Sequence, residues 1–179
     1  QAGAVAAVGL SAGGALAALL AFHLRDRVRA VMVVAAPPLL GSHNLQDPRD
    51  GMKRGLLLPA VTALDTKQGD CAPLAIVHGA DDSVVHPRCA DQLQEQALAS
   101  LSREGSEVAA AEAKSAATTV TDFRSDGALR LRRIDIAGLG HQWSGGPGGH
   151  PYCVRDGVPL AVICEQFLRD AGALPSRAD

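Results

Sequence analysis

The chain has 179 residues, of which 47% are hydrophobic and 20% charged, a balance that can bury one core and excludes disorder as the global state. Seventeen Lys and Arg against nineteen Asp and Glu leave a formal charge of -2, so nucleic acid and anionic membrane surfaces find no basic footprint to bind. Aromatic residues make up only 3%, and a core built from small and branched aliphatics suits a layered α/β interior.

The segment Ala2 to Phe22 carries no charge, as a membrane span would. Gly3, Gly9, Gly13 and Gly14 interrupt it, no Lys or Arg precedes it, and a spanning helix would have to bury Ser11. It reads instead as a buried strand at Ala4 to Leu10 and a helix at Ala12 to His23. Gln1 is not an initiator Met, and the apolar run starts at once, as expected of part of a longer chain. At the junction, Gly9-Leu10-Ser11-Ala12-Gly13 fits G-x-S-x-G in the strand-to-helix setting of a nucleophile elbow. Glycines two before and two after the serine permit a sharp turn, and Gly14 gives the helix room to pack. Ser11 is the candidate nucleophile, and the Ala12 N–H, at the helix amino terminus, is a candidate oxyanion donor. The competing readings are a helix-capping serine or a phosphate-binding turn of dinucleotide type, but G-x-G-x-x-G is absent and no P-loop Lys follows.

Val28 to Ala35 is rich in β-branched residues and is stopped by Pro37-Pro38, as a buried strand would be. From Leu39 to Ala72 the pattern dissolves into Gly, Pro, Asp and Asn around a short apolar stretch at Leu56 to Leu58, an irregular, lid-like excursion. Leu74 to Val77 is a third buried strand and runs into His78-Gly79-Ala80-Asp81-Asp82-Ser83-Val84-Val85. Asp82 is the candidate orienting carboxylate and Asp81 its competitor; both also suit a plain turn. Arg88 to Arg103 has helical spacing at Ala90, Leu93, Ala97 and Leu101. Glu104 to Asp126 is small and polar, expected as a surface insertion in which Val108 to Ala117 could be helical. Leu129 to Ile136 alternates like a half-exposed, edge-like strand, and the glycine-rich loop Gly138 to Gly149 carries His141, the candidate general base. Trp143 either lines a substrate mouth or packs beside that loop. Val158 to Asp170 closes the chain as a helix.

Strands alternating with helices predict a mainly parallel sheet covered on both faces, with chemistry beyond the carboxyl ends of its strands. Ser11, Asp82 and His141 follow those ends in the chain order of α/β-hydrolases. Of the other histidines, His78 is expected to brace the acid turn, His23 to end a helix, and His43 lies in the lid-like stretch. His86-Pro87-Arg88-Cys89 and His150-Pro151-Tyr152-Cys153 could together offer four zinc ligands, or Cys89 and Cys153 a disulfide. Cys71, Cys89, Cys153 and Cys164 are too few for a disulfide scaffold. Bridges would imply an oxidising compartment, whereas free thiols suit the cytoplasm equally.

Three stretches, Val8-Gly9-Leu10-Ser11-Ala12-Gly13-Gly14-Ala15, Val77-His78-Gly79-Ala80-Asp81-Asp82-Ser83-Val84-Val85 and Gly138-Leu139-Gly140-His141-Gln142-Trp143-Ser144-Gly145-Gly146, resemble the poly(3-hydroxybutyrate) depolymerase-like esterases of the α/β-hydrolase superfamily. The resemblance implies a single α/β-hydrolase catalytic domain over 1–179, with the lid-like excursion at about 39–72 and the polar insertion at about 104–126. It implies a serine esterase with nucleophile Ser11, acid Asp82 and base His141, needing no metal or organic cofactor. Family members are often secreted and act on polyhydroxyalkanoates, and relatives cleave feruloyl and acetyl esters, so a secreted or periplasmic place is implied beside the cytoplasmic one. In the family, the first strands and the loop giving a second oxyanion N–H precede the elbow, yet only ten residues stand before Ser11. The sheet is therefore expected to lack its amino-terminal strands and to self-associate through an exposed edge. Rival readings are a peptidase or lactone hydrolase of the same superfamily, a truncated non-catalytic domain that binds a partner at that edge, and a dinucleotide-binding domain.

Overall fold

The computed structural model describes residues 5–39, 48–55, 71–102 and 107–175. In chain order the elements are β1 (Ala6–Leu10), α1 (Ala12–His23), β2 (Ala30–Val34), α2 (Pro48–Arg54), β3 (Leu74–Gly79), α3 (Arg88–Ser102), β4 (Val108–Lys114), β5 (Thr118–Ser125), β6 (Ala128–Ile136), β7 (Trp143–Ser144), β8 (Cys153–Val154) and α4 (Leu160–Asp170). Six strands form one sheet in the order β1-β2-β3-β6-β5-β4. The first four in that order run parallel, and β5 and β4 continue antiparallel.

Alternation along the central strands separates two cores. Val31 and Val33 with Leu74 and Ile76 meet Ala17, Ala18, Ala21 and Phe22 of α1 and Ala90, Leu93 and Ala97 of α3. Met32 and Val34 with Ala75 and Val77 meet Leu160 and Phe167 of α4. Every residue of β2 and β3 is buried, which is why both read as unbroken apolar runs in the sequence. The mainly parallel α/β architecture expected from the sequence is the one observed.

Two expectations are corrected. The polar insertion contains no helix at residues 108–117; β4 and β5 form a hairpin that extends the sheet. The composition of β4 (V-A-A-A-E-A-K) suits a helix, but the β-branched Thr118-Thr119-Val120-Thr121 opposite recruits it into a ladder. Asp126 and Gly127 join β5 to β6 with φ of 51° and 78°, the two left-handed residues of a tight hairpin turn. Nor is β6 an edge, since it lies between β3 and β5. It keeps the expected half-exposed alternation, and two of its arginines are paired: Arg132 reaches Asp122 of β5 at 2.6 Å and Asp170 of α4 at 2.8 Å, and Arg133, 5% exposed, reaches Asp135 at 2.7 Å.

Within the lid-like stretch α2 is helical, and the rest of that expectation lies mostly outside the described residues. At the opposite edge of the sheet from β4, Val5 just before β1 and Val8 within it are 54% and 46% exposed, and α1 adds Leu16 and Leu19 at 61% and 41%. Before His23, α1 has no polar side chain at all, and a helix apolar on every side is one suited to cover on every side. Among the described residues, no helix is long and apolar enough to cross a membrane.

Candidate active site

Because β1, β3 and β6 are parallel, their carboxyl ends open on one rim, where the segments that follow them meet. Ser11 stands between β1 and α1 with φ 56° and ψ -122°, a left-handed backbone that costs a non-glycine residue about 1–3 kcal/mol. It is held there at both backbone groups: its N–H donates to the Val34 carbonyl at 2.8 Å, and its carbonyl accepts from Ala15 N–H at 3.0 Å. A Cβ at Gly9 would collide with the Gly13 carbonyl, and one at Gly14 would stand 2.8 Å from Ala36 Cβ. At Gly13 a Cβ would meet open space, so the two motif glycines are not equivalent: the turn needs the missing side chain at Gly9, and helix packing needs it at Gly14, as expected. Gly9→Ala should accordingly destabilise the fold by about 1–3 kcal/mol or more through overpacking. Gly13→Ala should leave stability level or slightly higher, and urea titration of both variants checks the contrast.

The acid turn follows β3. Asp82, 4% exposed, accepts at Oδ1 from the N–H groups of Val84 (2.9 Å) and Val85 (2.8 Å). Its Oδ2 lies 2.8 Å from His141 Nδ1. Asp81 is exposed, and its N–H donates to the Leu139 carbonyl at 3.1 Å. Of the two candidate acids, then, Asp82 is the one whose carboxylate reaches the histidine. A Cβ at Gly79 would collide with that same Leu139 carbonyl, so this glycine lets the acid turn and the histidine loop lie against each other.

His141 Nε2 lies 2.9 Å from Ser11 Oγ, and the His141 and Asp82 side chains are 8% and 0% exposed. A carboxylate only accepts, so the proton of a neutral His141 sits on Nδ1 and Nε2 is left to accept from the serine hydroxyl. Ala12 is the first residue of α1, and its N–H has no partner within the helix.

Trp143 packs, partly buried, against the core on the α4 side. One aromatic neighbour escaped the sequence reading: Tyr152, 55% exposed, lies edge-on to His141 with ring centroids 6.3 Å apart. Being the only Tyr in the chain was its one visible signal. The β7–β8 pairing brings it near, through a Trp143 N–H bond to the Tyr152 carbonyl at 2.9 Å. His78 lies behind Asp82, its Nε2 3.6 Å from Oδ2.

All four cysteines are free thiols, so the Cys89–Cys153 bridge weighed from the sequence is not formed. Cys89 is buried, with Sγ 3.4 Å from the Gly51 carbonyl, and burial pushes its thiol up to about 11, unlike a reactive thiolate. The two H-x-x-C segments do not converge either: among the described residues no group of three or more His, Cys, Asp or Glu is placed to hold a metal ion.

The family described as Esterase PHB depolymerase matches residues 2–125, a span that includes Ser11 and Asp82 and stops before His141. No curated protein matches the sequence. Among solved structures, an acetyl xylan esterase from Aspergillus awamori superposes with a TM-score of 0.61 at 16% identity, over 95% of this chain and 60% of that one. Esterase 2 of Thermogutta terrifontis gives 0.55 at 16% identity, over 96% and 57%. A PHB depolymerase complexed with an R3HB trimer gives 0.50 at 17% identity, over 85% and 46%. The chain thus shares the α/β-hydrolase fold of these esterases and spans about half to three-fifths of their length.

Proposed function

Because the chain belongs to the esterase PHB depolymerase family, we propose that it is a serine ester hydrolase working through Ser11, His141 and Asp82. The observation that carries the reading is the unbroken run of hydrogen bonds from Ser11 Oγ to His141 at 2.9 Å and from His141 to Asp82 at 2.8 Å, with the serine on a strained turn. In the proposed cycle His141 Nε2 takes the Ser11 proton as Oγ attacks the ester carbonyl carbon, and Asp82 stabilises the imidazolium that forms. The Ala12 N–H donates to the oxyanion. Collapse of the tetrahedral intermediate breaks the ester C–O bond, and His141 returns the proton to the departing alcohol. His141 then takes a proton from a water that attacks the acyl-enzyme, and returns it to Ser11 Oγ as the acyl bond to Oγ breaks, releasing the acid and restoring free Ser11. These steps use only protein side chains, one backbone N–H and water.

A polyhydroxyalkanoate-type ester is the proposed substrate, supported by the family membership, with feruloyl or acetyl esters and peptides as the alternatives. Trp143 and the exposed Tyr152 are the proposed walls of the substrate mouth. One domain over the whole chain and a secreted or periplasmic place complete the reading; fractionation of cells producing a tagged chain checks the place. A fluorescent fluorophosphonate should label Ser11, located by peptide mass, and hydrolysis of 3-hydroxybutyrate oligomers should exceed that of methyl ferulate, acetylated xylan and peptide amides. A folded sample that takes no label overturns the hydrolase assignment.

The exposed apolar face of β1 and α1 favours a second property, self-association through that edge. Size-exclusion chromatography should return an oligomer that Val8→Lys breaks down; a monomer at every concentration overturns it.

A further inference from the structure

We infer that His78 is a positioning residue, whose Nε2–H fixes the turn that aims the Asp82 carboxylate at His141. The kinetic side of this inference rests on the proposed hydrolase reading, whereas its structural side stands on geometry alone.

His78 ends the apolar run of β3 and is 1% exposed. Its Nε2 lies 2.8 Å from the Val85 carbonyl. A carbonyl only accepts, so Nε2 must carry a hydrogen. Burial lowers the basicity of the ring, against the opposing pull of the Val85 carbonyl and of Asp82. The charged groups around it are Asp82 on its own turn and Arg133 and Asp135 on the neighbouring β6. A neutral ring has one N–H, here on Nε2, and Nδ1 keeps its lone pair. That Nδ1 is buried without a hydrogen-bond partner.

An imidazole at this position therefore carries an unpaired acceptor that a leucine of similar bulk would not. What it supplies in exchange is a single N–H at the one place where the turn needs it. Val85 is gripped at both backbone groups: its carbonyl accepts from His78, and its N–H donates to Asp82 Oδ1. With Oδ1 held by the amides of Val84 and Val85, rotation of the carboxylate is fixed and Oδ2 is left facing His141 Nδ1. Freeing the Val85 carbonyl loosens the amide that holds Oδ1, and the carboxylate can then swing away from the histidine.

Two variants separate the donor from the bulk. His78→Leu fills the space without an N–H, whereas His78→Gln carries an amide N–H to about the position of Nε2. Two readouts are taken on each: kcat and KM for p-nitrophenyl acetate, and the deshielded NMR resonance of the His141 Nδ1 proton shared with Asp82, assigned by its loss in His141→Ala. The expected result for His78→Leu is a kcat lower by roughly 10- to 100-fold, the scale of a small misplacement of a catalytic group, with KM unchanged and the resonance lost. His78→Gln should recover both readouts to within a few-fold. A folded His78→Leu protein with wild-type kcat and resonance overturns the inference, as does a Gln variant no better than Leu. If neither variant folds, the ¹⁵N shifts of His78 in the wild type decide: the neutral ring must carry its hydrogen on Nε2, and an Nδ1–H tautomer overturns the inference. A wild type that keeps the His141 resonance but turns over no ester sinks the hydrolase reading alone, because the resonance still tests His78.

Discussion

Replacing Ser11 with alanine is expected to remove ester turnover, lowering kcat by roughly ten-thousandfold to a millionfold, and to abolish labelling by the fluorophosphonate, while the protein stays folded. The size of the expected effect follows from the proposed role of Oγ as the only atom of residue 11 that can bond to the acyl carbon. His141 Nε2, 2.9 Å away, would then have no hydroxyl to deprotonate. Stability should move by no more than about 1 kcal/mol, the net worth of one hydrogen bond. The strained backbone is held by bonds from the Ser11 N–H to Val34 and from Ala15 to the Ser11 carbonyl, which an alanine keeps. Rates on a 3-hydroxybutyrate oligomer, with a urea titration beside them, check both halves. Turnover that survives in a folded Ser11→Ala protein would place the hydrolysis elsewhere.

The second large effect is expected at Asp82→Asn, and the two acids of the turn should behave oppositely. The N–H groups of Val84 and Val85 both point at Oδ1, so an asparagine must set its amide oxygen there. Its NH2 group then faces His141 Nδ1. The imidazole has to accept from that group, its proton moves to Nε2, and Nε2 can no longer take the proton of Ser11. A loss of kcat of about ten-thousandfold is expected from such a tautomer reversal, with KM changed little because the carboxylate is buried behind the histidine. Asp81→Asn, at an exposed side chain, should stay within about twofold of wild type, as surface substitutions commonly do. Steady-state rates of the two variants on one ester decide the matter, and equal losses would refute the distinction.

How much of this was legible in the sequence depended on how local the controlling physics is. β2 and β3 are buried on the sheet's inner rows and bounded by glycine or proline, and β1, though an edge strand, is as apolar as they are, so each is legible as a short apolar run, and α1 begins at Ala12 as expected. The chain order of Ser11, Asp82 and His141 at successive strand ends likewise pointed to the rim where they meet. β4 and β5 escaped because an alanine-rich strand is made by its partner rather than by its own propensity. The Asp126-Gly127 turn marks only the next connection, from β5 to β6. The alternation of β6 reads as that of an edge, whereas Arg132 and Arg133 are paired with Asp122, Asp170 and Asp135 and the strand lies between β3 and β5. The family resemblance favours Asp82 over Asp81, but the reason, that only the Asp82 carboxylate reaches His141, and the difference between Gly9 and Gly13 and the nearness of Tyr152 all need directions in space that adjacent positions in a chain do not encode.

The bond between Ser11 and His141 joins residues 130 apart in sequence. Loops of that span close at an entropic cost that must be met before any contact across them can reward it. The serine and the histidine therefore meet only once the intervening strands are docked, and no local nucleus of the chain can assemble them early. Phosphonate reactivity then becomes a clock for refolding: after dilution from urea, the label should appear with the slowest structural phase rather than with the first gain of helical signal.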